Sequence, residues 1–83
     1  MIRKIETKQA PEALGPYSQA VSIDATHSQL MFISGQLPID PATGKLVGSD
    51  IKEATRQVLD NIEAILIAGQ SSFHEVVRVD VFL

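Results

Sequence analysis

From residue 51 to residue 66 the apolar side chains fall on one stripe at helical spacing: Ile51, Ala54, Val58, Leu59, Ile62, Ile65 and Leu66. Lys52, Glu53, Arg56, Gln57, Asp60 and Glu63 take the opposite face. Ser49 and Asp50 supply a cap, and Glu53 stands three residues after Asp50, as a capping box requires. Gly69 is placed to end the helix in the left-handed conformation. A helix with one apolar stripe needs a surface to lie on.

The flanking segments supply that surface as strands. Residues 2–5 are a short strand candidate, and residues 9–15 form a loop leading to Pro16. Residues 17–23 alternate weakly, with Ala20, Val21 and Ile23 as core candidates, and residues 30–34 pair with them as a hairpin across a polar turn at residues 24–29. Asp40-Pro41-Ala42-Thr43-Gly44-Lys45 is a turn signal: Pro41 sets φ and Gly44 closes the corner, bringing Ile39 to Leu46. Residues 72–75 suggest one helical turn. In residues 76–83, Val77, Val79, Val81 and Leu83 share one face, and Arg78, Asp80 and Phe82 the other, which predicts a last strand. Strand, strand, strand, helix, strand is an α+β order with a helix on one face of the sheet.

The chain has 83 residues, enough for one small domain, and no cysteine. Disulfides and cysteine-type zinc sites are excluded, and His27 and His74 are isolated surface histidines. A net charge of −3 with interspersed signs argues against a general grip on nucleic acid. No apolar run follows Met1 as in a signal peptide, and none reaches membrane-spanning length, so the expectation is a cytoplasmic protein without a membrane partner. A chain this small gains core by oligomerisation.

Four segments together resemble a known family. A-P-E-A-L-G-P-Y-S-Q-A-V (residues 10–21), F-I-S-G-Q-L-P-I-D-P-A-T-G (32–44), T-R-Q-V-L-D-N-I (55–62) and V-V-R-V-D-V-F-L (76–83) are similar to the YjgF/RidA reactive-intermediate deaminases, also called the L-PSP family. The resemblance runs over nearly all of the chain, in order and spacing. It implies a chorismate-mutase-like mixed sheet backed by helices, and a homotrimer with clefts between subunits. It also implies a single domain over residues 1–83 that is incomplete at the C-terminus: members of the family carry a carboxylate-pairing arginine and an acidic residue after the position of Leu83. Arg78 sits in a different motif and does not replace that arginine.

The activity the resemblance implies is hydrolytic deamination of enamines and imines such as 2-aminoacrylate to 2-keto acids and ammonia, with no cofactor. A keto-acid-binding module without turnover is the alternative. RNA cleavage, a role attached to some members, has little support from a chain with one tyrosine, no basic stripe and no histidine pair. Tyr17 matches the site tyrosine of G-P-Y-S. Gly35, lacking a Cβ, lets a ligand approach its amide, and the Ser34 hydroxyl can donate or accept one more bond. The candidate site is therefore Tyr17, Ser34 and Gly35. At Gly35 the competing reading is a turn or bulge glycine, and at Tyr17 a packed ring.

Overall fold

The computed structural model describes residues 2–25 and 28–82. Its elements, in chain order, are β1 (Ile2–Ile5), β2 (Ala20–Ala25), β3 (Ser28–Ile33), helix α1 (Ile51–Ala68) and a 3₁₀ turn at Phe73–Glu75. The sheet has the order β1-β2-β3 and is antiparallel throughout its three strands, with Ile5 opposite Ala20 and Ala20 opposite Ile33. This is the expected α+β arrangement; the parallel pairing of a mixed sheet is not among these strands.

The hairpin is longer at its tip than its polar composition suggests. Asp24 pairs with Gln29 and Ala25 with Ser28, so the ladder runs on through residues expected to form a turn. At the other end β2 starts at Ala20, not at residue 17. The Tyr17 amide bends back to the Gly15 carbonyl at 2.8 Å, which takes the chain out of the ladder. His27 lies outside the described residues, and His74 is exposed.

Alternation sends every second residue to one face. Ile5, Ala20 and Ile33 face α1, where Ile65 is fully buried against Ile5, Ala10 and Ala20, with Met31, Ile33 and Ala64 packed around them. Ile2, Val21, Ile23, Leu30 and Phe32 therefore share the opposite face, which no element among the described residues covers; Leu30 and Phe32 are more than half exposed.

The helix begins as its cap residues require. The Asp50 side chain accepts from the Glu53 amide at 2.9 Å, and the Glu53 carboxylate accepts from the Ser49 amide at 3.4 Å. The buried stripe differs from the apolar one. Ile51 and Leu59 are exposed, whereas Asn61 is buried and Gln57 half-buried. Position 61 lies between Val58 and Ile65 at helical spacing, so the polar side chain occupies a core-facing position.

The helix ends differently from the expectation for Gly69. Gly69 has φ −89, and Gln70 adopts the left-handed conformation at φ 62. The Gln70 amide bonds Ile67 O and the Ser71 amide bonds Leu66 O, the two bonds of a Schellman motif. Glycine is needed at 69 for proximity: an added Cβ would collide with Met31 Cε and fall 2.8 Å from Ile5 Cδ1.

The last expected strand is the main correction. The segment at residues 76–82 joins no ladder among the described residues, and Val77 and Phe82 are more than nine-tenths exposed. The alternating pattern is there, but a strand is stable only beside another strand. The second expected connection holds: Ile39 bridges Leu46, the Asp40 carboxylate accepts from the Ala42 amide, and Gly44 takes φ 73. No helix among the described residues is long and apolar enough to cross a membrane.

Candidate functional site

The three candidate residues leave the sheet at one end. The β2–β3 register runs one step beyond the strands, because the Ser34 amide donates to the Gln19 carbonyl at 3.0 Å. Tyr17 precedes that step and Gly35 follows it.

At Ser34 the structure narrows the chemistry. Its hydroxyl also donates to the Gln19 carbonyl, at 3.0 Å. The single hydroxyl proton is thus committed, and Oγ offers a new partner only its lone pairs. The expectation that Ser34 either donates or accepts is corrected to acceptance alone.

Gly35 is exposed, and its amide donates to no described residue. Its φ lies outside the left-handed region, and a Cβ built there meets nothing within 4 Å. Neither backbone strain nor crowding by the chain itself requires glycine at this position. The site thus presents a free N–H donor one residue from an oriented hydroxyl acceptor. A small molecule carrying a carboxylate oxygen and an N–H group can use both.

Tyr17 is 55% exposed and makes no side-chain hydrogen bond to a described residue. Its ring lies against the bare Cα of Gly15, where a Cβ would sit 3.4 Å from Cε1. The ring is neither buried in the core nor tied down through its hydroxyl.

Two residues that sequence reasoning passed over shape this end of the molecule. Gln19, 4% exposed, accepts from the Thr7 amide at 2.7 Å and donates from Nε2 to the carbonyls of Thr7, Ala10 and Pro11. Asn61, 1% exposed, donates from Nδ2 to the Leu37 carbonyl at 3.2 Å and the Ile39 carbonyl at 2.9 Å. The visible signal for Asn61 is a carboxamide inside an apolar helical stripe; for Gln19 it is a polar residue abutting the strand core at Ala20.

Two open concavities lie elsewhere. One, about 600 Å³, sits between the β2–β3 hairpin and the end of α1, beside Asp24, Met31, Gly69, Ser71 and Glu75. The other, about 350 Å³, runs between Thr7 and the helix at Asp60, Glu63 and Ile67. Neither includes Tyr17, Ser34 or Gly35. Among the described residues no cluster of three or more His, Asp or Glu side chains is arranged to hold a metal ion.

A small antiparallel sheet backed by one capped helix defines the class: an α+β protein. A family model described as Endoribonuclease L-PSP matches residues 7–83. The chain belongs to the L-PSP family. It is 51% identical over 79 residues to a RutC family protein of Pyrococcus horikoshii, covering 95% of this chain and 60% of that one. It is 48% identical over 84 residues to the 2-iminobutanoate/2-iminopropanoate deaminase of Bos taurus, covering 100% and 58%. Among solved structures, a Thermotoga maritima protein matches with a TM-score of 0.83 and 53% identity over 90% of this chain and 56% of its own. E. coli TdcF with bound serine matches with a TM-score of 0.72 and 38% identity over 86% and 52%. The chain spans about 60% of the length of the curated relatives it matches.

Proposed function

We propose that this chain takes part in the hydrolytic deamination of small enamine and imine acids, such as 2-aminoacrylate, releasing ammonia and a 2-keto acid. The observation that carries the reading is the Gly35 amide, unpaired and unobstructed among the described residues, beside a Ser34 hydroxyl that can only accept. The amide binds one carboxylate oxygen. The hydroxyl lone pairs take an N–H of the substrate or of its ammonia product, or hold the water that adds to the imine carbon. Tyr17 walls the site. The enamine first tautomerises to the imine, its N–H proton passing to the terminal carbon; water then adds to the imine carbon, the C–N bond of the resulting carbinolamine breaks, and ammonia leaves with the proton of the carbinolamine's own hydroxyl as the C=O bond forms. Positioning and electrostatics suffice for such chemistry, and no cofactor enters. The name carried by the bovine relative supports this reaction class.

The assembly is a cytoplasmic homotrimer with its sites in clefts between subunits. The uncovered sheet face of Ile2, Val21, Ile23, Leu30 and Phe32 supports packing against a second copy, since an apolar face of this kind is seldom left to water.

The test is ammonia release from 2-aminoacrylate generated in place by a dehydratase. Two proteins are assayed: the chain itself, and a chimera extended with the C-terminal portion of the Pyrococcus relative. Acceleration over the spontaneous rate by the chimera, reduced by Gly35→Ala, is expected. Ammonia release at the spontaneous rate from a folded chimera rejects the proposal.

A binding role without turnover has one observation in its favour: TdcF holds serine, a small amino acid with the same pair of polar groups. Saturable calorimetric binding of 2-ketobutyrate with no acceleration of ammonia release selects this reading.

A further inference from the structure

Residues 34–39 connect β3 to the Asp40 turn without belonging to a strand, yet their main chain is held from two sides. On one side Ser34 gives both its amide and its hydroxyl proton to the Gln19 carbonyl. On the other, both N–H groups of the Asn61 carboxamide reach across from α1 to the Leu37 and Ile39 carbonyls. Gln57, one helical turn earlier, donates to Asn61 Oδ1 at 2.9 Å and so fixes which way the carboxamide points. Gly35 lies between the two grips.

We propose that Asn61, oriented by Gln57, is a positioning residue that holds the Gly35 amide in place for a small carboxylate. The inference rests on reading Gly35 as the carboxylate donor. Asn61 is 1% exposed and both its N–H groups are taken by the Leu37 and Ile39 carbonyls, so it acts through the loop. Burying a carboxamide in the core-facing stripe of a helix is costly unless its bonds are made. Here those bonds go to a connecting segment, not to the sheet. A carboxamide that merely satisfied the helix would keep all its bonds within α1, whereas this one gives both N–H groups to the segment after Gly35. An amide already fixed in place gives up less freedom on binding, so the anchoring appears as affinity.

The test combines backbone ¹⁵N relaxation with a 2-ketobutyrate titration on the wild-type chain, Asn61→Ala and Gln57→Ala. Wild-type Gly35 is expected to be as ordered as α1, near about 0.85 in order parameter, and to fall below about 0.6 in Asn61→Ala while Ile51–Ala68 keeps its order. Gln57→Ala, which leaves both carbonyl bonds possible but frees the carboxamide to turn, is expected to lower the Gly35 value in the same direction by less. The Kd for 2-ketobutyrate is expected to rise about tenfold in Asn61→Ala, as loss of one anchoring interaction predicts. Unchanged Gly35 order in a folded Asn61→Ala chain overturns the proposal; if that variant does not fold, unchanged Gly35 order in Gln57→Ala overturns it. Loss of Gly35 order together with no wild-type binding of 2-ketobutyrate overturns the carboxylate reading and leaves the anchoring role standing.

Discussion

Gly35 and Gly69 are both glycines, for opposite reasons. At Gly69 the protein's own side chains leave no room for a Cβ. At Gly35 the space is open and φ lies outside the left-handed region, so no left-handed turn requires the glycine. What a Cβ obstructs there is approach from outside. Gly35→Ala is therefore expected to leave stability unchanged or raise it by up to about 1 kcal/mol, through the stiffer unfolded chain. It is also expected to weaken 2-ketobutyrate binding. Thermal unfolding and calorimetry on the same sample check both halves; a large loss of stability contradicts the open-space account. The Ser34 hydroxyl belongs at this scale too, since its proton is spent on Gln19 and only its lone pairs remain for a further partner.

Among the elements, α1 was the most legible in the sequence, because its cap and stripe are local signals. Its interior was less so: the stripe shows Ile51 and Leu59 as core, and the structure exposes both and buries Asn61 instead. Periodicity records only which residues are apolar, and Asn61 faces inward because main-chain carbonyls of a distant segment need its donors. Gln19 escapes for the same reason, its partners lying 8 to 12 residues away in a loop with no pattern of its own. Tyr17, Ser34 and Gly35 became the candidate site because they stand in contiguous motifs. The Schellman end of α1 was half legible: Gly69 marks the place, but its cause is Met31 and Ile5 on the sheet. Gly69→Ala is expected to cost about 1–3 kcal/mol, the usual penalty for overpacking, with the flexible Met31 tip absorbing part of the clash. Chemical denaturation measures it; a neutral result contradicts the close packing of helix end and sheet.

Over the whole molecule, surface outweighs core. The chain exposes 6650 Å², whereas a compact folded monomer of 9.0 kDa exposes about 4,900 Å². The radius of gyration is 13.0 Å against about 12 Å for a compact domain of this length. Exposed apolar side chains stand on the bare sheet face, at Ile2, Leu30 and Phe32, and in residues 76–82, the segment whose alternating pattern shows a strand and whose partner no local signal supplies. Association is the economical way to cover such a face. Sedimentation is expected to show a trimer for the wild-type chain, and Phe32→Glu, on that face and away from α1, is expected to dissociate it while α1 stays helical by circular dichroism. A wild-type monomer at high concentration contradicts the assembly. The account as a whole turns on whether the Gly35 amide receives a carboxylate. Titrating 2-ketobutyrate into the ¹⁵N-labelled chain measures this directly. The expected result is a saturable downfield shift of the Gly35 amide proton, larger than that of any other backbone amide and absent with an uncharged analogue such as 2-butanone. A Gly35 resonance that stays put while the ligand binds elsewhere, or does not bind at all, contradicts it.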